Sequence, residues 1–372
     1  MSFQYYQYNK KLDNEFVKDL RNEINDYFKT KGISKHANLG MVVKTIVMLS
    51  LFWIPYSLMV FNVVEGVLLH YALWFVMGIA TAGIGMTVMH DAIHGSYSSI
   101  PSVNKFLGNT MNFLGGNSWV WHMQHNVLHH TYPNIDEVDD DIDNPPLLRM
   151  SPHQKRYTLH QYQHLYVWIL YCFATLFWVT SKDYVMLLKY KKRKILKKGE
   201  FRKRLLHIIL WKVFYFTYLL IIPIYFINFH WSVILGMFLV MHLVAGISLS
   251  LIFQPAHVFH GTDYAEKQEK KLLDRSWYKY QLETTTNFNL PPIVKYFAGG
   301  LNYQIEHHLF PNICHVHYQN LSPIVKRITK KHELPYHNHR SLLQALYFHG
   351  KELKILGQPE PDGSYVRDFA PA

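Results

Sequence analysis

The sequence has little cysteine. Its 372 residues include two cysteines, Cys172 and Cys314, which excludes a disulfide scaffold and a cysteine-rich zinc site. Residues 1–35 are polar and contain no apolar run, so we predict no signal peptide. No flavin, nucleotide or nucleic-acid recognition motif is present. The formal net charge of +12 therefore does not predict nucleic acid as a partner.

Long apolar runs are present instead. A helix of roughly 20 apolar residues crosses a bilayer, and four runs reach that length, at 41–61, 66–89, 205–229 and 231–254. Short turns join the first run to the second and the third to the fourth, so we predict two helical hairpins in a lipid bilayer. Basic residues are dense in 10–35 and 182–204, which the positive-inside rule assigns to the cytosol.

A fifth apolar stretch, 167–180, is too short to span. The predicted topology holds if this stretch lies on the membrane as an interfacial helix, and a shallow re-entrant segment would leave it unchanged. The acidic residues between 136 and 143 are expected to form a solvated loop, with orientation of nearby imidazoles as the alternative.

The predicted fold is therefore all-α, an integral membrane protein with four transmembrane helices in two hairpins and a cytosolic helical cap. We expect a cytosolic N-terminal segment at 1–40, a membrane domain at 41–330 and a cytosolic C-terminal tail at 331–372. The expected location is a bacterial inner membrane, with the chain crossing it several times.

Histidine is abundant, with 24 copies, and it is the commonest metal ligand. Three clusters stand out: HDAIH at 90–94, HNVLHH at 125–130 and QIEHH at 304–308, with His257 alone after the fourth run. On an α-helix His125 and His129 share a face, while His130 points roughly 100° away. Divergent neighbouring imidazoles suit two metals side by side better than one.

The topology brings all these segments to one membrane-proximal surface. Eight imidazoles suit two borderline metals with open positions for oxygen, and iron is favoured because zinc performs no redox chemistry. A metal transporter would place its ligands in mid-membrane, and a bis-histidine cytochrome would have only His70 and His242 on its spans. Both readings are disfavoured.

The three clusters resemble the histidine boxes of the membrane fatty acid desaturase family. The segments GGLNYQIEHHLFPNICHVHY and QLETTTNF are also similar to its third-box region, and the resemblance covers about 41–323. It implies these metal ligands: His90, His94, His125, His129, His130, His257, His307 and His308. Gln304 stands where many members have histidine. This is similar to front-end, linoleoyl-CoA desaturase-like members, which act between an existing double bond and the carboxyl end.

The resemblance implies an oxygen-dependent enzyme with two iron ions that inserts a cis double bond into a long-chain fatty acyl group. The acyl group is carried on CoA or lipid. A fatty acyl hydroxylase or related monooxygenase is the alternative, because similar boxes support both outcomes. Gln304, His122 and Asp91 are candidates to bind metal or to support the ligands, and His315 and His317 to contact the substrate headgroup.

Many front-end members carry a fused cytochrome b5 domain with an HPGG motif. Residues 1–40 are too few for such a domain and lack that motif, so no haem or flavin is expected in this chain. A separate electron donor, a ferredoxin or a free cytochrome b5, is expected instead. Because such donors are commonly acidic, the basic cytosolic face is a candidate docking surface.

Overall fold

A computed structural model describes residues 6–143, 146–265 and 272–359 of the chain, which are mostly helical. The α-helices are Asn14–Lys31, Leu39–Val60, Val67–Ile84, His90–Ile93, Pro101–Gly108, Thr110–Phe113, Ser118–Trp121, Gln163–Cys172, Ala174–Phe177, Asp183–Lys192, Glu200–Phe216, Ile222–Phe226, Trp231–Phe253, Trp277–Glu283, Pro292–Phe297, Gln304–Leu309, Tyr318–Lys331 and Leu342–Gly357. The π-helical segments are Gly85–Met89, His122–His129, Trp178–Lys182 and Thr217–Ile221, and the 3-10 turns are Thr158–Tyr162, Gln254–Ala256 and His315–His317. Two short parallel strand pairs complete the described part: Gln7–Tyr8 with Leu272–Leu273, and Thr286–Phe288 with His337–His339.

Four helices among the described residues are long and apolar enough to cross a membrane. They are named here the first to fourth spans: Leu39–Val60, Val67–Ile93, Glu200–Phe226 and Trp231–Ala256. The second span packs between the first and the fourth. Because these bounds lie close to the predicted apolar runs, the prediction of four membrane-length helices is confirmed.

The fifth apolar stretch lies in a broken helix. Its two halves, Thr158–Cys172 and Ala174–Lys192, meet at an angle of 62°, and both pack against the fourth span. A bend of this size is compatible with a re-entrant segment or with a broken span. The interfacial placement therefore stays a prediction.

A helical layer packs around the histidine-bearing ends of the spans. The N-terminal helix, Asn14–Lys31, lies against Tyr318–Lys331 through Phe16, Leu20 and Val325. Part of the segment expected as a C-terminal tail belongs to this layer, because the helix Leu342–Gly357 packs against Gln163–Cys172. Several chain segments that are distant in sequence therefore surround the histidines.

The acidic run after the second cluster is only partly solvated, since Glu137 is exposed and two of the aspartates are buried. The exposed fractions of Asp139 and Asp140 are 0% and 2%. Lys189 and Arg193 form ion pairs with Asp140, and the imidazole of His129 lies 3.0 Å from Asp139. The prediction was wrong for these two aspartates because partners distant in sequence neutralise and hydrogen-bond their carboxylates, which makes their burial tolerable.

Gly299 lets the third-cluster region touch the second span. Its φ of +59° favours glycine, and a Cβ atom there would lie 1.9 Å from the carbonyl oxygen of Met86. Met86 lies in the π-helical turn that precedes the first cluster. Because no side chain fits between these two backbones, the glycine sets the separation of the first and third clusters.

Candidate metal centre

Four imidazoles from three chain segments form a first group. One ligand nitrogen from each of His90, His94, His125 and His307 lies within 4.8 Å of the others. His90 and His94 stand at the end of the second span, where the N–H of His94 donates to the carbonyl of His90 at 3.1 Å. Their ring centroids are 4.7 Å apart, so both imidazoles lie on one face of the helix.

The second cluster is π-helical, which corrects the α-helical expectation. The N–H of His130 donates at 2.9 Å to the carbonyl of His125, five residues earlier. A π-turn is wider than an α-turn, so both His129 and His130 come close to His125, with ring centroids 5.3 and 4.7 Å away. His130 therefore does not diverge from the site as an α-helix requires.

His129, His257 and His308 form a second group, with ligand nitrogens within 4.8 Å of one another. The amide nitrogen of Gln304 lies 2.7 Å from Nε2 of His257, so the third-cluster glutamine stands beside this group. His130 lies between the two groups, since its ring is 4.5 Å from that of His307 and 4.2 Å from that of His308.

Several imidazole nitrogens in the two groups lack a hydrogen-bond partner in the described part of the chain, as expected of atoms that bind metal. Several buried Nε2 atoms have no hydrogen-bond partner among the described residues, namely those of His90, His94, His129 and His308. Each such atom costs roughly 1–3 kcal/mol if nothing binds it. Nε2 of His130 lies 2.9 Å from Nε2 of His307 and 3.3 Å from Nε2 of His125. Two nitrogens about 2.1 Å from one metal, at right angles, are about 3 Å apart.

Buried acceptors hold the opposite ring nitrogens. Nδ1 of His129 lies 3.0 Å from Asp139 Oδ2, and Nδ1 of His308 lies 2.7 Å from Gln281 Oε1. Such partners fix the ring so that Nε2 faces the metal. Sequence reasoning assigned no role to Gln281, although it opens the QLETTTNF segment and that resemblance was the signal that marked it.

Metal-ligating imidazoles must be neutral, and burial favours the neutral form of most of these side chains. Burial, assisted by neighbouring imidazoles, holds the pKa of His125, His130, His307 and His308 well below the usual range. Burial also opposes the charged form of His129, but the Asp139 carboxylate outweighs burial and raises the pKa of His129. A carboxylate partner of this kind makes an imidazole a stronger metal ligand.

The other candidate residues divide into two sets. His122 is exposed and joins no metal-ligating group among the described residues. Asp91 is buried beside the first group, with Oδ1 3.6 Å from Nδ1 of His90. His315 contacts Asp91 at 2.8 Å, whereas Nε2 of His317 turns away to the carbonyl of His36 at 3.1 Å.

Glu306 is a further buried group that sequence reasoning missed. Its carboxylate accepts from Asn287 Nδ2 at 2.7 Å and from Tyr336 Oη at 2.8 Å, and burial raises the pKa of Glu306 to about 7. Asn287 also accepts from the N–H of Ile305 at 3.0 Å. These bonds fix the helix that carries the third cluster.

The fold and the site together describe a mostly helical protein with four membrane-length helices and histidine clusters that could bind metal. The profile of the fatty acid desaturase family matches residues 66–340. The chain therefore belongs to this family, and it is an oxidoreductase, an acyl desaturase.

Curated relatives share this family along most of the chain. The chain is 33% identical to the sn-1 linoleoyl-lipid 6-desaturase of Synechocystis sp. over 92% of its length and 96% of that protein. It is 31% identical to the sn-1 linoleoyl-lipid 6-desaturase of Arthrospira platensis, over 89% of each chain. It is also 30% identical to the acyl-lipid (8-3)-desaturase of Physcomitrium patens, over 93% of this chain and 72% of that one.

Proposed function

We propose that this chain is a front-end acyl-lipid desaturase, which uses O2 to insert a cis double bond between an existing double bond and the carboxyl end. The observation that carries the proposal is the pair of histidine groups, with Gln304 beside His257 in the second. The names of the relatives above, two of them linoleoyl-lipid 6-desaturases, support a lipid-linked acyl group as substrate.

Two iron ions are assigned to the two groups. The first would be held by His90, His94, His125 and His307, and the second by His129, His257 and His308. His130 lies between the two groups of imidazoles, and Gln304 lies beside the second group. Neutral nitrogen donors without cysteine suit iron that reacts with oxygen. When bound, the irons supply the O2 activation and hydrogen abstraction that no side chain performs on unactivated methylenes.

The chain itself keeps the reacting region apolar. The indole of Trp121 stacks on His125, with centroids 4.4 Å apart, and Trp121 clusters with the buried side chains of Met89 and Met111. These side chains exclude water from one side of the first group. Water exclusion and a fixed acyl position are what the protein contributes to such a reaction.

We propose a cytosolic position for the histidine site. The basic residues of 10–35 and 182–204 adjoin the first and third spans at their N-terminal ends, and the positive-inside rule places those ends in the cytosol. The two pairs of spans then form hairpins, and the helical layer becomes a cytosolic cap. The proposed compartment is a bacterial inner membrane.

Electrons are proposed to come from a separate acidic protein, a ferredoxin or a cytochrome b5. Lys191, Lys192 and Lys194 are exposed beside the broken helix, so they offer a positively charged surface. Charge reversal of these three lysines is expected to slow reduction by the protein donor and to leave reduction by dithionite unchanged. Charge reversal of Lys29 and Lys31 is the control. Equal rates of reduction by the protein donor in the test variant and the control variant would contradict the proposed docking site.

The function is tested by expressing the chain in a host without polyunsaturated lipids, feeding linoleate, and analysing fatty acid methyl esters. A new double bond on the carboxyl side is expected. His308→Ala should abolish the product, whereas His122→Ala, which changes an exposed histidine outside both groups, should retain it. New bonds on the methyl side would overturn the front-end assignment, and hydroxylated acids would favour a hydroxylase.

A further inference from the structure

Lys44 is the one charged residue of the first span. It is five residues from the start of that span, about 7 Å along the helix axis. A lysine near the end of a span usually extends its ammonium to the lipid headgroups. Here Nζ turns inward instead, lying 3.0 Å from Nε2 of His315 and 4.9 Å from the ring centre of Tyr296. A charged side chain directed into the protein at this depth points to a function.

A chain of polar contacts runs from Lys44 to the first histidine group. Nδ1 of His315 lies 2.8 Å from Asp91 Oδ2, which also accepts from the N–H of His315 at 3.2 Å and from Sγ of Cys314 at 3.0 Å. The other carboxylate oxygen lies 3.6 Å from Nδ1 of His90. Asp91, Cys314 and His315 are all buried.

With Lys44 as an ammonium group, the donors and acceptors along these contacts run in one direction. An ammonium group has donors and no acceptor, so Nε2 of His315 accepts from Lys44. In the neutral ring Nδ1 then carries the hydrogen and donates to Asp91. Asp91 is thereby held as a carboxylate acceptor. Its other oxygen, 3.6 Å from Nδ1 of His90, is beyond hydrogen-bond distance, and its negative charge favours the tautomer of His90 with hydrogen on Nδ1. In that tautomer Nε2 of His90 has its lone pair directed to the metal.

We propose that Lys44 and His315 are positioning residues, which fix the tautomer and orientation of His90 through Asp91. The inference rests on the proposed assignment of a metal to the first group. Lys44 would thus connect the membrane surface to the metal centre without touching the metal or the reacting atoms.

A third metal at Asp91, Cys314 and His315 fits the same residues less well, although their ligand atoms lie within 4.8 Å of one another. A metal there would take the lone pair of His315 or the oxygen of Asp91 that now accepts three hydrogen bonds. It would also place a second cation next to the ammonium of Lys44. The lysine already supplies the positive charge that the buried carboxylate requires.

The test compares variants that interrupt the donors and acceptors between Lys44 and His90 with variants that preserve them. Lys44→Met removes the donor of the lysine, and His315→Leu removes both ring nitrogens of the histidine. Lys44→Arg keeps a group with donors only, and His315→Gln keeps one acceptor and one donor. Lys105→Gln, in an exposed helix, controls for the loss of an unrelated lysine. Purified proteins are compared for iron per chain, for the rate of iron loss to a chelator, and for Tm.

We expect Lys44→Met and His315→Leu to bind the iron of the first group roughly 10–100-fold more weakly than wild type, because removing a partner of a metal ligand usually lowers metal affinity by this factor. That iron should therefore be lost faster to the chelator. Lys44→Arg, His315→Gln and Lys105→Gln should lose iron at about the rate of wild type. The double variant Lys44→Met/His315→Leu should lose it at the rate of the single variants, because both residues act through the same contacts with Asp91. An unchanged rate of iron loss in Lys44→Met, or equal rates in Lys44→Arg and Lys44→Met, would overturn the proposed positioning role. A wild-type protein without iron would overturn the proposed metal centre instead.

Discussion

Replacing Asp139 by asparagine tests whether the acidic run acts on the second metal site. Both carboxylate oxygens face Nδ1 of His129, at 3.0 and 3.1 Å. Oδ2 also accepts from the N–H of Asn134 at 2.9 Å, and Oδ1 from the N–H of Asp141 at 3.0 Å. In either amide orientation, Asp139→Asn therefore places an NH2 group against a backbone donor.

The expected loss of iron affinity follows from the hydrogen bond that the variant can no longer make. One hydrogen bond to a charged group contributes roughly 1.5–3 kcal/mol, and each 1.4 kcal/mol is tenfold in an equilibrium constant. If the loss falls on the orientation of His129, iron at the second site should bind roughly 10- to 150-fold more weakly. The first site should keep its iron, because among the described residues Asp139 forms its imidazole hydrogen bonds with His129 of the second group.

The assay is a chelator titration that follows iron per chain, with desaturation measured on the same samples. The variant is expected to fall from two irons toward one at a chelator concentration that leaves wild type loaded. Glu137→Gln removes an exposed carboxylate of the same segment and is the matched control. Two irons retained in Asp139→Asn, or equal losses in both variants, would refute the reasoning.

Further changes test how the centre is held. Gly299→Ala should lower Tm and iron content because its Cβ meets the Met86 carbonyl at 1.9 Å, whereas Gly199→Ala, also at positive φ but in open space, should cost only the backbone strain of about 1 kcal/mol. Gln281→Leu should weaken iron binding by leaving a buried N–H without an acceptor, and Gln281→Glu should retain it; the same titration distinguishes them. Burial lowers the pKa of His349 from 6.5 to about 4. Between these two pH values the histidine is protonated in the unfolded protein and stays neutral in the folded protein. Stability is therefore lost as pH falls from 6.5 toward 4, by up to about 3 kcal/mol. His349→Gln should flatten that part of the curve of Tm against pH, and parallel curves would contradict it.

The spans and the clusters were predictable because their signals are local. Runs of apolar residues identify spans by length alone, and the spacing of His90 and His94 places both on one helical face. No local spacing connects His257 to the clusters, and its position after the fourth apolar run was the signal that included it. The structure places all three residues in the two histidine groups.

The remainder depends on contacts that local patterns do not contain. An α-helical period was assumed for the second cluster, and the π-turn at His125–His130 changes which rings face each other. The acidic run looked solvated because Lys189 and Arg193, which pair with Asp140, follow some fifty residues later. The residues around Lys44 give no sign of its inward contact, since its partner His315 lies 271 residues away.

The separation of the ligands along the chain has a consequence for biogenesis. His130 and His307, whose Nε2 atoms are 2.9 Å apart, are separated by 177 residues, and the third and fourth spans lie between them. Neither histidine group is complete until the ribosome has synthesised the third cluster. On the proposed assignment of iron to both groups, loading would follow the synthesis of all four spans. A nascent chain halted before residue 304 should insert and yet retain no stable metal centre.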